Sequence, residues 1–273
     1  MGRKLSKAGA DRSWPQYDIK LPDAADLTQD REFCEVKLDG EWRRFRFHDY
    51  DEIYRIPGLY EQIFYRQLEC ASHVRLTTML ADTLEQFGED PRDLRVLELG
   101  AGNGVVGERL RELGVGALAG LDISPVARDA ALRDRPQTYD DYFVANLARL
   151  SGPQHAGIRQ FAPNCLIAVA CLGFGDMQPA AFKVAADMLP AGGWLALNVK
   201  YEVIGSEDRG SFGHMLREMA AHKKIAINSY SIYTHRMSVE GKRLHYAAMV
   251  GRKADASAPV SDVLPLVRSE VAA

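Results

Sequence analysis

The stretch Val96-Leu97-Glu98-Leu99-Gly100-Ala101-Gly102-Asn103-Gly104-Val105-Val106-Gly107 constrains the fold more than any other part of this 273-residue chain. The apolar run from Arg95 to Leu99 reads as a short buried strand. Glycines follow at once, and Val105 to Leu113 reads as a helix. Strand, glycine turn and helix make a nucleotide-binding crossover. Glycine turns the chain tightly and admits a ligand with no Cβ in the way. The N–H groups and dipole of the following helix favour an anionic group near the turn.

From residue 95 onward strands and helices alternate. Ala117–Asp122 is the second strand, and Ser124 with Pro125 reads as an N-cap and first turn. Tyr142–Ala145 reads as a third strand, the apolar run Leu166–Leu172 as a central fourth and Trp194–Val199 as a fifth. Residues 178–189 and 209–222 read as helices, and 224–233 and 244–250 as the last two strands. Such alternation predicts a parallel sheet with right-handed crossovers and helices on both faces. The short link 234–243 suits a hairpin, which makes the final strand antiparallel.

The glycine stretch resembles motif I of the class I S-adenosylmethionine (SAM) methyltransferases, acidic-x-Gly-x-Gly-x-Gly, with Glu98, Gly100, Gly102 and Gly104 in the motif positions. The resemblance weakens along residues 90–253. It implies an α/β fold: a Rossmann-like three-layer sandwich around a seven-stranded, mostly parallel sheet whose last strand is antiparallel. It also implies a transferase that uses SAM and releases S-adenosylhomocysteine (SAH). The expected cofactor shell is Glu98, Gly100, Ala101, Gly102, Asn103 and Gly104 at the turn and Asp122 and Ile123 after strand two. Asn146 and Leu147 follow strand three, Ala170 and Cys171 end strand four, and Tyr60 and Tyr65 come from a cover ahead of the motif.

Several of these positions have a chemical reason. Asp122 can accept two charge-assisted hydrogen bonds from a vicinal diol. It serves a dinucleotide-binding unit equally well, and Gly107 completes that fingerprint loosely, so Glu98 discriminates. A carboxylate two residues before Gly100 repels a diphosphate and tolerates an ammonium or sulfonium. Asn146 stands where the family commonly has an acid beside the adenine amino group. Its amide oxygen can still accept that bond, and it can equally cap a helix. At strand four the chain reads Ala-Cys-Leu-Gly-Phe-Gly-Asp, unlike the Asn/Asp-Pro-Pro-Tyr/Phe of DNA amino-methyltransferases. Cys171 reads as a structural thiol rather than a nucleophile.

Ahead of the motif, Cys34–Leu38 and Glu41–Phe47 flank Asp39-Gly40, a strong hairpin signal. Phe45 and Phe47 share one face with Arg43, and Trp42, Arg44 and Arg46 share the other; one packed face with arginines in solvent is the favoured reading. Leu59, Ile63, Phe64 and Leu68, then Leu76, Met79, Leu80, Leu84 and Phe87, recur at helical spacing. The chain thus divides into an extended or disordered arm (1–30), a hairpin with cover helices (31–90), a SAM-binding domain (91–253) and a tail (254–273).

No catalytic residue is legible, because displacement at a sulfonium needs alignment and exclusion of water more than proton transfer. Candidate bases are Tyr54, Tyr60, Asp176, Lys200 and His214, with Lys200-Tyr201-Glu202 following strand five. A net charge of −3 and the lack of a basic tract argue against a nucleic-acid substrate. The four cysteines lack CxxC spacing, so no zinc site or disulfide framework is indicated, and free thiols suit a reducing cytoplasm. No apolar run is long enough to span a membrane. The expected substrate is a small molecule methylated on oxygen or nitrogen. A protein-substrate methyltransferase, an NAD-dependent oxidoreductase and a non-catalytic SAM-binding protein are the alternatives.

Overall fold

The computed structural model describes residues 14–23, 27–173 and 176–254. A three-stranded antiparallel sheet comes first, of β1 (Ile19–Lys20), β2 (Phe33–Leu38) and β3 (Glu41–Arg46). Asp39 (φ 51°) and Gly40 (φ 87°) form the left-handed two-residue turn between β2 and β3, whose twist matches that of the strands. The alternation of the hairpin is read out as burial. Cys34, Val36, Phe45 and Phe47 are inside, and Trp42, Arg44 and Arg46 face solvent. α1 (Tyr50–Tyr54) and α2 (Leu59–Glu61, continuing as a π-helix over Gln62–Gln67) close over that face with Ile53, Leu59, Ile63 and Leu68. Within the expected arm, β1 pairs with β2, and Gly58 lies so close to Trp14 that a Cβ there would stand 2.6 Å from the indole. The arm's first 13 residues and its residues 24–26 lie outside the described residues.

α3 (Ser72–Gln86) leads into β4 (Arg95–Leu99), α4 (Val105–Leu113), β5 (Ala117–Asp122), α5 (Pro125–Asp134) and β6 (Asp141–Val144). Then follow α6 (Gly152–Phe161), β7 (Cys165–Ala168), α7 (Pro179–Met188), β8 (Trp194–Lys200), α8 (Tyr201–Ile204), α9 (Phe212–Ala221), β9 (Ile225–Met237) and β10 (Arg243–Lys253). The seven-stranded order is β6-β5-β4-β7-β8-β10-β9, parallel except where β10 pairs antiparallel with β8 and with β9. Strand order reverses beside β4, so the turn after β4 sits at the switch point where open α/β sheets bind ligands.

The two sheet faces are filled by different helices. Leu76, Leu80 and Leu84 of α3 and Val106 and Leu110 of α4 cover one face. Ile158 and Phe161 of α6, Phe182 and Ala185 of α7 and Phe212 and Leu216 of α9 cover the other. α3, expected as part of the cover, therefore packs into the core of the main sheet.

Two further differences from the sequence reading have physical causes. The fourth strand ends at Ala168 rather than Leu172. Ala170 adopts φ +54°, which breaks the extended backbone, and its N–H donates to Asn198 Oδ1 at 2.6 Å instead of to a neighbouring strand. Ala170 and Cys171 thus lie on a loop beyond the strand. α6 escapes the hydrophobic pattern, since Gly157 and a polar face dilute its periodicity. Its signal was the capping box Ser151-x-x-Gln154, with Pro at the helix start. The expected tail lies outside the described residues beyond Ala254.

Candidate active site

β4 ends on Leu99, and Gly100 (φ +64°), Gly102 (φ +53°) and Gly104 (φ +88°) carry the chain back into α4. The closest neighbours of these glycines are side chains of the protein itself. A Cβ on Gly100 would lie 2.6 Å from Cys171 Cβ, and one on Gly102 would lie 2.5 Å from the Tyr54 hydroxyl. Tyr142 donates its hydroxyl to the Gly102 carbonyl at 2.7 Å. Asp122 Oδ2 accepts from Gly102 N–H and Oδ1 from Ser124 N–H, each at 2.9 Å. The carboxylate therefore ties the end of β5 to the glycine turn. Burial pushes its pKa up against the pull of these N–H groups.

An open cleft of about 790 Å³ lies in front of Asp122. Ile123, Asn146, Leu147, Ala170 and Cys171 line it, and Ile123 is 63% exposed, the most exposed large apolar side chain among the described residues. Asn146 caps the short helical turn at Leu147 by accepting from Ala148 N–H at 2.9 Å, the capping reading of that residue. Cys171 donates to the Leu99 carbonyl, and burial pushes its thiol pKa far up, as for a structural thiol. Five carboxylates (Asp49, Asp51, Glu52, Asp122 and Asp176) line this cleft against one guanidinium, Arg149.

Behind it is a smaller inner cavity of about 80 Å³, reaching from Glu98, Gly100, Gly102 and Asn103 to Tyr65 and His73. Strand alternation turns Glu98 to the α4 side with Val96, where it is 2% exposed. There it accepts from the Tyr139 hydroxyl at 2.9 Å. Burial raises its pKa to about 8. Asn103 donates to Glu61 Oε1 at 2.8 Å, and Arg135 donates to the same oxygen at 2.8 Å and to the Asn103 carbonyl at 3.0 Å. Gln29 Oε1 and His73 Nδ1, both on this cavity, are buried with no hydrogen-bond partner among the described residues, as is Glu61 Oε2 nearby.

Tyr60 and Tyr65 belong to an aromatic wall. Tyr50 stacks on Tyr54 (6.0 Å between centroids), Tyr54 meets Tyr60 (5.2 Å), and Tyr60 meets Tyr65 edge-on (5.9 Å). Tyr60 lines both spaces, and Tyr65 lines only the inner one. Among the candidate bases, Tyr54, Tyr60 and Asp176 face the cleft. Lys200, which stands 3.8 Å from Glu202, and His214 on α9 line neither space, nor do Tyr201 and Glu202. Missed by the sequence reading was His48, which lines both spaces beside Asp176. It directly follows the inward-facing Phe47, and alternation alone would have turned it to the other face.

The donor set has a definite chemical preference. A carboxylate pair of acceptors, an exposed aliphatic platform beside it, an excess of negative charge and unpartnered acceptor atoms suit a cationic ligand with a diol and a flat ring. They do not suit a diphosphate.

The sequence model of the methyltransferase-domain family matches residues 71–232. A search of curated proteins finds no match. Among solved structures, the N-methyltransferase NodS from Bradyrhizobium japonicum WM9 in complex with SAH is similar at 14% identity and a TM-score of 0.51, over 77% of this chain and 98% of that one. A Listeria monocytogenes protein described as a class I SAM-dependent methyltransferase is similar at 14% identity and a TM-score of 0.53, over 79% and 72%. The family match covers more than half of the chain, the sheet has the seven strands and antiparallel last strand that the resemblance implied, and the chain belongs to the class I SAM-dependent methyltransferases.

Proposed function

We propose that the protein transfers a methyl group from SAM to an oxygen or nitrogen atom of a small molecule. The observation that carries this reading is the junction of a wide cleft with a smaller, aromatic-lined cavity, directly over the glycine turn. An acceptor entering that junction is shielded from water by Tyr50, Tyr54 and Tyr60.

In this reading Asp122 holds the ribose hydroxyls, while Ile123 and Leu147 flank the adenine and Asn146 meets its edge. Gly100, Ala101, Gly102, Asn103 and Gly104 shape the floor under the methionine part. Ala170 and Cys171 form the wall beside the sulfur, and Glu98, Tyr60 and Tyr65 close the inner end. When bound, SAM supplies a methyl carbon made electrophilic by the sulfonium. The chain's contribution is to fix the line between that carbon and the acceptor atom, which is worth a large share of the barrier. The excess of carboxylates supports a cationic cofactor and disfavours nucleic acid, whose phosphates the cleft would repel. All four cysteines are free thiols, which supports a reducing compartment such as the cytoplasm. No helix among the described residues is long and apolar enough to cross a membrane.

The test is thermal unfolding with SAM, SAH and NAD in parallel. A ligand at about 100 times its Kd adds about 2.7 kcal/mol. SAM and SAH are expected to raise Tm and NAD to leave it unchanged; stabilisation by NAD alone would defeat the reading. Incubation with labelled SAM and a low-molecular-weight cell extract then tests the acceptor class, and label appearing only on macromolecules would redirect it.

A further inference from the structure

His48 leaves the end of β3 just after Phe47, which is 1% exposed in the core of the small sheet. The reversal into α1 brings its imidazole to the junction of the outer cleft and inner cavity. Asp176, on the loop between β7 and α7, stands there too, with Oδ1 3.9 Å from His48 Nδ1. Tyr50 meets the imidazole edge-on at 5.7 Å, and Tyr54 and Tyr60 continue the ring wall behind it. The same junction is bordered by Gly100 and Ala170. Building on the methyl-transfer reading above, we propose that the acceptor is a small amine, protonated in solution, and that His48 takes its proton while Asp176 balances the charge.

Three features of the junction support the assignment. First, carboxylates outnumber guanidinium groups five to one along the outer cleft, and the second guanidinium in reach, Arg236 on the inner cavity, is held by Glu32 at 2.5 Å. Such a field concentrates cations and repels carboxylate or phosphate acceptors. Second, the wall is made of tyrosines, whose hydroxyl oxygens and ring quadrupoles both attract an ammonium, and Gln29 Oε1 on the inner cavity is an acceptor with no partner among the described residues. Third, the other groups there are poor bases at neutral pH. Burial pushes the hydroxyl pKa values of Tyr50, Tyr54, Tyr60 and Tyr65 up, which leaves them protonated. Burial pushes His73 down to about 4 and His235 to about 3, so their imidazoles bind a proton weakly. Asp176 stands across the cleft from His48, and Asp49 and Asp30 also lie near it; Asp49 is itself paired with Arg46 at 2.7 Å.

The step balances. His48 accepts one proton from the ammonium, leaving an amine with a free lone pair and an imidazolium facing Asp176. The lone pair forms the new N–C bond as the C–S bond breaks, and the electrons of that bond stay on sulfur as a neutral thioether. The product leaves as the methylated ammonium, and the imidazolium gives its proton to water in the open cleft.

The experiment has two arms. In the SAH-loaded protein, benzylamine, benzyl alcohol and benzoate, matched in shape and different in charge, are compared by thermal shift. Benzylamine is expected to give the largest shift; equal shifts, or a larger one with benzoate, overturn the assignment. In the second arm, trideuteromethyl-SAM and a metabolite extract are incubated with the protein and products are found by their mass shift. A product retained on a cation exchanger at neutral pH supports an amine acceptor, and a neutral or anionic product overturns it. No deuterated product at all, with SAH still bound, defeats the methyl-transfer reading itself. On the amine so identified, His48→Gln is expected to keep the SAH-induced shift and lose about 10²-fold or more in rate at pH 7. The loss should shrink as the pH approaches the amine's own pKa, where the proton leaves without help. Asp176→Asn should lower the rate less and move the pH midpoint of the wild-type profile downward. A His48→Gln rate equal to wild type across the pH range removes His48 from the reaction.

Discussion

Replacing Gly102 by alanine tests why the turn needs glycine. At φ +53° an L-residue carries a backbone penalty of about 1–2 kcal/mol. The new Cβ would also stand 2.5 Å from the Tyr54 hydroxyl and 3.2 Å from its Cζ. Tyr54 is buried and pressed between Tyr50 and Tyr60, so its ring cannot withdraw without disturbing both neighbours. Overpacking of this kind adds about 1–3 kcal/mol, for a total of about 2–5 kcal/mol. In a Tyr54→Phe background the hydroxyl is gone and the nearest atom is the ring carbon at 3.2 Å, which a shift of a few tenths of an ångström accommodates. The penalty then falls to the backbone share, and the double-mutant cycle gives a coupling of about 1–3 kcal/mol. Urea unfolding of the four proteins without ligand measures it. Equal penalties in both backgrounds would refute the steric account and leave glycine's role to ligand approach alone.

Glu98 makes stability depend on pH. Its folded pKa is raised from 4.5 to about 8 by burial, so between those values the folded state holds a proton that the unfolded state has lost. Stability is therefore greatest below pH 4.5 as far as this group is concerned and declines as pH rises through 8. Glu98→Gln should flatten that decline in urea titrations between pH 5 and 8.5, and an unchanged slope would count against the burial argument. Ile123→Ala should change unfolding free energy by less than about 0.5 kcal/mol, because the side chain is 63% exposed, yet weaken SAH binding measured by calorimetry. Ser72→Ala removes the hydroxyl that Tyr233 and His235 each meet at 2.6 Å and to which Asn198 donates at 3.1 Å. A loss of about 1–3 kcal/mol is expected in urea unfolding, since buried polar partners are left unsatisfied.

The elements legible in the chain were those with a strong local period or a strong cap: the Asp39-Gly40 hairpin, β4 to α4 and the Ser124 cap. Boundaries slipped where a tertiary contact overrode the pattern, as at Ala170, whose N–H is taken by Asn198 from β8. α6 was lost because its cap, not its periodicity, defines it. The position of Asp122 was legible because a strand end and a glycine turn one crossover apart must meet at the switch point. His48 was not, because it lies 50 residues before the motif, and only the closing of the small sheet over the large one brings it to the cleft.

The sequence by itself therefore determined the crossover, the acid after the second strand and the place of a nucleotide-type cofactor, while the choice between SAM and NAD rested on the resemblance to motif I. The first three depend on spacing within one continuous segment, which local physics settles. The tertiary structure decided the rest. It showed that Tyr54, Cys171 and Tyr139 stand against the glycines of the turn and its helix, that Glu98 is buried with its pKa pushed up to about 8, and that tyrosines from the helices over the small sheet and an aspartate from a loop of the large one line a single junction. Contacts between segments so far apart in the chain carry no signature in spacing or periodicity, because packing alone selects which side chains meet.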